Sequence, residues 1–404
     1  MNNKWIRAAI PALLIHCSIG TVYCWSSFSS TLAEQIKVDS SILGWAFSLA
    51  IFFLGMSAAF AGKFVEKDIH KSSLIATICF TIGMVGTGLI VKFSPYLGPI
   101  LSTIGIFLFY GCIMGIGLGV GYLTPVKTLM LWFKDNKGLG TGISIMGFGL
   151  AKAISSPIMN WLQEKTSLSN MFFILAIIYF VMLMLGHLLL KKPDGWVEDQ
   201  RNDIPNILVM FKNKTFAGIW LMFYINIACG LALISYEKQI LQYVGIGIVS
   251  ISAIQAFTAT LNALGRIGFS TISDYMKDRN TIYKIIFVMS IIVSILSLVF
   301  FKSSIVKTII IITLLVINAG YGGGFSTLPA LLESRFGMKN ISKIHGLSLS
   351  AWGIAGLTGN QITSLIYKFT NDYNYTFAII GVMYCIALII SFCMVKNNHD
   401  LLDQ

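Results

Sequence analysis

"GKFVEKDIHK", residues 62–71, is a short charged run between two long apolar blocks. It packs three lysines, two acids and a histidine into ten positions of a chain that is only 11% charged. Soluble domains carry about 25% charged residues. The flanking blocks are about twenty residues long, the length of helix that crosses a hydrocarbon core of roughly 30 Å. The decapeptide therefore reads as a tight connection between two membrane helices. A second copy of it decides the fold. "STISDYMKDR" (270–279) lies 208 positions further on, close to half the chain, with Asp274 on Glu66 and Arg279 on Lys71. A further echo joins "TPVKTLMLWF" (124–133) to "LPALLESRF" (328–336), with Pro125 and Pro329 in equivalent places. Two echoes in the same order read as a tandem duplication, a plan known for transporters with a substrate site between the repeats.

Working outward, the 404 residues are 56% hydrophobic, with a mean hydropathy of +0.78. The apolar blocks predict twelve spans, at about 5–30, 42–62, 72–91, 98–126, 138–161, 170–191, 215–236, 249–272, 282–301, 306–331, 343–367 and 374–395. The fold class is an all-α polytopic membrane protein in two pseudo-symmetric six-helix bundles. The first block, anchored by Trp5 and Arg7, is longer than a signal core, lacks a clear cleavage site and reads as a retained helix. The longest polar connection, 192–214, separates an N-terminal half (1–191) from a C-terminal half (215–404) and reads as a linker with a short amphipathic helix at 204–212.

Of the 29 Lys and Arg, 19 fall at the termini and in the even-numbered connections, 7 in the odd-numbered ones, and Lys127, Lys152 and Arg266 within spans. The positive-inside rule then puts both termini in the cytoplasm and the chain in the cell (inner) membrane. It also accounts for most of the net charge of +12, so the basic excess is no nucleic-acid footprint. The seven cysteines lie in apolar blocks without ligand or disulfide spacing and read as core residues. No metal and no cofactor is expected.

"GKFVEKDIHK" resembles the loop signature of the major facilitator superfamily, G-x-x-x-D-R-x-G-R-K, with Gly62, Glu66, Lys67 and Lys71 in its places and Asp68 and His70 departing from it. Asp274 and Arg279 hold the repeat's copy. "TVYCWSSF" (21–28), "GVGYLTPVKTLMLWFKDNKGLGTGISIMGFG" (119–149) and "YGGGFSTLPALLESRFGMKNISKIHGLSLSAWGIAGL" (321–357) are similar to the oxalate/formate antiporter branch and its monocarboxylate-transporter neighbours. The resemblance implies alternating access, a cavity lined by spans 1, 4, 7 and 10, and a small carboxylate as cargo. Members that exchange oxalate carry an arginine on span 8, matched by Arg266, and a lysine on span 11, whose place is taken here by Trp352. That departure points away from oxalate and toward a monocarboxylate such as formate, lactate or pyruvate.

The charges inside the spans carry the same reading from the residues themselves. Lys152 lies about 20 Å in along span 5 and Arg266 about 12 Å in along span 8, at 1.5 Å per residue. A midplane cation costs about 2.5–3.5 kcal/mol even on low scales and faces a cavity almost without exception. The sequence places no acid in mid-span; Glu237 and Glu333 lie near span ends. An anionic cargo would supply the counter-charge. Arg266 offers a planar fork for a carboxylate, and Lys152 adds a point charge. The resemblance implies that spans 5 and 8 face each other, so the two cations would share one cavity. Tyr23, Trp25, Tyr122 and Tyr321, with Trp352, are expected to complete it, joined by Ser26, Thr124, Asn226, Tyr236, Ser326 and Thr327. Lys127, near a span end, is expected to snorkel. His16 is either a packed neutral histidine or a proton-coupling site, and His345 reads as a loop or cap residue. The cargo's partner would be a counter-transported anion or a proton.

Other classes fit less well. H-E-x-x-H, G-x-S-x-G and paired membrane carboxylates are absent, so no enzyme is expected. A receptor would call for a soluble domain. The rival within transport is a cation or drug exporter, which would want buried acids.

Overall fold

A computed structural model describes residues 3–195, 207–339 and 341–395. Among these, every regular element is a helix. Nine helical runs are long and apolar enough to cross a bilayer. One of them, Ile69–Trp132, has 64 residues, about three times the span of the hydrocarbon core. It folds back at Gly98, whose φ of +73° and ψ of 172° are open to glycine alone. The arms return antiparallel: Gly83 lies against Met114, Gly86 against Phe109 and Gly105 against Ile90. The run is therefore two spans, 69–97 and 99–132. The sequence predicts a connection over 92–97; the structure continues the helix and reverses at one residue.

With Ile248–Asp274 and Ile341–Thr370, helices of 27 and 30 residues, the spans number twelve among the described residues. They are α1 (Trp5–Ser27), α2 (Ser40–Val65), α3 (69–97), α4 (99–132), α5 (Lys137–Lys165), α6 (Leu168–Leu189), α7 (Lys214–Tyr243), α8 (Ile248–Asp274), α9 (Asn280–Phe300), α10 (Val306–Phe336), α11 (Ile341–Thr370) and α12 (Asn374–Cys393). The first span is not one rod. It ends in a 3-10 stretch, Gly20–Ser27, and Phe28, at φ −136°, separates it from a short helix Ser29–Ile36. Of the predicted amphipathic helix at 204–212, Ile207–Lys212 is helical and the rest lies outside the described residues.

The chain forms two compact units. One comprises Met1–Asp135, Ile143–Glu198 and Ser342–Gly353, the other Asn136–Gly142, Asp199–Ile341 and Ile354–Gln404. The first turns of α11 thus group with α1–α6, and the first turns of α5 with α7–α12. In the first unit α2 packs on α4, α3 on α4 and α6, and α1 on α4 and α6. In the second, α8 packs on α10, α9 on α10 and α12, and α7 on α10 and α12. Every pairing recurs six helices later, which is the tandem duplication expressed as packing.

Small residues set the closest approaches. In the first unit a side chain at Gly55 would run into the Gly353 backbone, and one at Gly346 into that of Ala58. The outward faces are apolar: Phe60, Ile100, Ile177, Leu188 and Val299 are each more than 60% exposed. Such a surface suits lipid rather than water, and the chain is a multi-pass membrane protein. Cys385 and Cys393 are exposed on α12, so not all seven cysteines are core residues as the sequence suggests.

Candidate functional site

In the second unit, α8 carries Arg266, which is fully buried. One turn back, Asn262 accepts a hydrogen bond from Arg266 Nε at 3.0 Å. The guanidinium carbon lies 5.1 Å from the centre of the Phe325 ring of α10. The ring face attracts the cation, and the amide fixes the plane of the fork. Close packing allows this. Gly322 of α10 has no room for a methyl group beside the Asn262 backbone, and the Arg266 stem runs past it. Tyr321 is buried on the same helix, its ring against Gly230 of α7 and 5.1 Å from Phe325. Asn226 donates to Gly320 O at 3.3 Å, and Ser326 donates to its own helix.

In the first unit, the aromatic residues meet on α4, α5 and α11. Trp352 is fully buried, 5.4 Å from Tyr122 and 5.5 Å from Phe148. Tyr122 stacks on His16 at 5.0 Å and 22°. Tyr23 is half-buried, edge-on to Phe148 at 5.3 Å. Trp25 points elsewhere, into a cluster with Phe28 and Tyr110, and Ser26 is exposed. Thr124 donates to Val120 O within α4. Lys152 is half-buried on α5, near enough to Cys24 of α1 to act on that thiol electrostatically.

Three expectations change. Lys127 does not snorkel: it is 3% exposed. His345 is no loop or cap residue; it is buried inside α11, 6.0 Å from the Tyr122 ring. The Gly55–Gly353 and Gly346–Ala58 approaches draw its turn inward. Glu237 lies in the last two turns of α7 but is 2% exposed and accepts from Thr258 Oγ1 at 2.7 Å. The spans therefore do contain a buried acid.

The two charged connections behave differently. Gly62 lets α2 approach Lys343 of α11, where a side chain would meet its Cα. The Glu66 side chain lies outside the described residues. Lys67 is exposed, and Lys71 pairs loosely with Asp68 at 3.6 Å. Asp68 caps α3, accepting from the amides of His70 and Lys71. The Lys71 amide above all, with that of His70 and the Lys71 charge, holds its carboxyl below the usual range. In the repeat's copy, Asp274 is almost fully buried. It takes Gly138 N–H at 2.8 Å and Leu139 N–H at 2.9 Å, from the first turn of α5, and Arg279 Nη1 at 2.8 Å. A carboxylate at a helix N-terminus meets both orphan amides and the positive end of the dipole. Lys137–Glu333 at 2.6 Å and Arg335–Asp278 at 2.5 Å extend the network.

The sequence reading passes over Asn262, Phe325 and Phe148. Asn262 had a signal, a polar residue four positions before an in-span arginine. The two phenylalanines had none among 28. Among the described residues no cluster of His, Cys, Asp and Glu could hold a metal ion.

The family model of the Major Facilitator Superfamily matches residues 12–360. An uncharacterized MFS-type transporter, YhjX, of Escherichia coli strain K12 is 24% identical over 88% of this chain and 86% of its own. The oxalate:formate antiporter of Oxalobacter formigenes is 20% identical over 91% of this chain and 85% of its own. Among solved structures, the proton:xylose symporter XylE bound to 6-bromo-6-deoxy-D-glucose superposes with a TM-score of 0.75 at 14% identity, covering 96% of this chain and 95% of that one. Twelve spans, a six-helix packing pattern repeated once, and a family match across nearly the whole length agree: this chain is a transporter belonging to the Major Facilitator Superfamily, and not an enzyme.

Proposed function

We propose that the chain is a secondary active transporter of a small organic anion, a monocarboxylate such as formate, lactate or pyruvate in preference to oxalate. It sits in the cell membrane with both termini cytoplasmic and works by alternating access between halves at 1–191 and 215–404. The observation that carries this is Arg266, a fully buried guanidinium in mid-span whose plane is set by Asn262 and Phe325. A fixed fork of that kind binds a carboxylate through two charge-assisted hydrogen bonds. Lys152, partly open on α5, supplies a second positive charge to the same cargo. Trp352, standing where oxalate-exchanging relatives are expected to carry a span-11 lysine, favours one carboxylate over two. The oxalate:formate antiporter, similar along most of both chains, is named for two small organic anions, one of them a monocarboxylate.

Labelled formate, lactate, pyruvate and oxalate, offered to proteoliposomes of the wild type, Arg266→Ala and Lys152→Ala, test the reading. Saturable uptake of a monocarboxylate, lost in Arg266→Ala, is expected. No uptake of any of the four by folded wild type overturns it. One observation favours a cation or drug exporter, the buried Glu237. Under that reading Glu237→Gln abolishes transport of a cationic dye while Arg266→Ala leaves it intact.

A further inference from the structure

His16 of α1 is fully buried, and both of its ring nitrogens face backbone carbonyls. Nδ1 lies 2.6 Å from Ser144 O on α5, and Nε2 lies 3.1 Å from Tyr122 O on α4. A carbonyl oxygen can only accept, and a neutral imidazole has one N–H. Either neutral tautomer sets a nitrogen lone pair against a carbonyl lone pair. The imidazolium, with two N–H groups, satisfies both contacts. The Tyr122 ring stacked at 5.0 Å offers its π-face to the same charge.

The neutral state also has a place to go. Ser144 Oγ lies 3.1 Å from Nδ1. With the proton gone from Nδ1, that hydroxyl can turn and donate to the lone pair, while Nε2–H keeps Tyr122 O. The site holds two protonation states with one rotation of a hydroxyl between them.

We propose that His16 is a proton-binding site, an imidazolium clamped by the Ser144 and Tyr122 carbonyls, and that its proton is coupled to the cargo. The proton enters from water on one side, occupies Nδ1, and leaves to water on the other. Lys127 of α4 and Lys152 of α5 are cations inside the neighbouring helices; α5 also carries Lys137 at its start and Glu164 and Lys165 at its end, and on α1 itself lie Arg7, Cys17 and Cys24. α6 brings Tyr179 and His187, hydrogen-bonded to Ser155 and Ser73. On α11, the His345 ring lies 6.0 Å from that of Tyr122. Its Nε2 meets no hydrogen-bond partner among the described residues, unlike the two carbonyl-facing nitrogens of His16. The carboxylate among these groups, Glu164, lies twenty residues along α5 from Ser144, about 30 Å at 1.5 Å per residue. Loading His16 therefore adds positive charge to a unit already carrying Lys152, and an anion and the proton each strengthen the other's binding by linkage. This coupling rests on the organic-anion reading; the protonation state of His16 does not.

The test has two arms on the full chain in nanodiscs and proteoliposomes. First, the protein is labelled with 15N-histidine and His16 is assigned by its loss in His16→Gln. At pH 6 both ring nitrogens are expected to bear protons, with one lost as pH rises. Ser144→Ala removes the partner of the neutral ring alone, and should move this titration upward by on the order of one pH unit. Second, the apparent KM for labelled formate, lactate, pyruvate and oxalate is followed against pH. It should fall on acidification in the wild type, shift with Ser144→Ala, and lose its pH dependence in His16→Gln. A single-proton ring from pH 5 to 8, or a wild-type pH profile in His16→Gln, overturns the proposal. If the wild type carries none of the four anions, the organic-anion reading fails while the 15N titration still decides His16.

Discussion

Replacing Asp274 by asparagine tests the anchor on α5 most directly. The wild-type carboxylate accepts from Gly138 N, Leu139 N and Arg279 Nη1, at 2.8, 2.9 and 2.8 Å. The first two donors stand in the opening turn of α5, where amides have no intrahelical acceptor; the backbone ladder of that helix starts at Gly140 N, which reaches Asn136 O. Asp274 is thus the acceptor that protects these two amides. Asparagine keeps one acceptor oxygen, turns an N–H₂ toward the other amide and drops the charge facing Arg279. Hydrogen bonds to a charged group are worth about 1.5–3 kcal/mol. Losing one amide bond and weakening the rest costs about 3 kcal/mol locally, roughly a hundredfold in an opening equilibrium. Hydrogen–deuterium exchange of a peptide covering 136–142 in nanodiscs reads this. About a hundredfold faster exchange at Gly138 and Leu139 is expected, with α9 and α12 unchanged. Wild-type protection in Asp274→Asn would show that something other than this carboxylate holds the turn, and would remove the anchor from the account.

Asn262→Leu takes away the acceptor of Arg266 Nε while leaving the guanidinium charge. The half-saturation concentration for the transported anion should rise roughly tenfold or more, with little change in protein yield; an unchanged value would mean that Phe325 alone orients the fork. Gly55→Leu forces a side chain into the Gly353 backbone. Overpacking of this kind costs about 1–3 kcal/mol or more, so the apparent melting temperature in detergent should drop, whereas Gly98→Ala should be harmful through its backbone angle although its surroundings are open. Asp68 has a folded pKa below its ordinary 3.8. Its hold on α3 is therefore complete above that value and lost as pH falls through the lower, folded one. Exchange at the His70 and Lys71 amides should accelerate only in that acid window, and Asp68→Asn should weaken the acid dependence.

Twelve spans, their duplication and the membrane as solvent were legible in the chain alone, because each is a one-dimensional property. An apolar stretch of sufficient length must bury its backbone polar groups in a helix when lipid surrounds it. A repeat shows in any sequence that retains it. Arg266 stood out for the same reason, as a charge where the pattern tolerates none. What the pattern could not show is which side chains meet. Asn262, Phe325 and Phe148 acquire their roles through contacts between helices far apart in sequence. Glu237 reads as a span-end acid by position and is buried by the α7–α8 packing around Thr258. His345 reads as a cap and is drawn inside by glycine contacts between α2 and α11. His16 was an open choice in sequence. Only tertiary structure placed carbonyls of α4 and α5 against both its nitrogens, since a backbone acceptor leaves no trace in the identity of the residue that carries it.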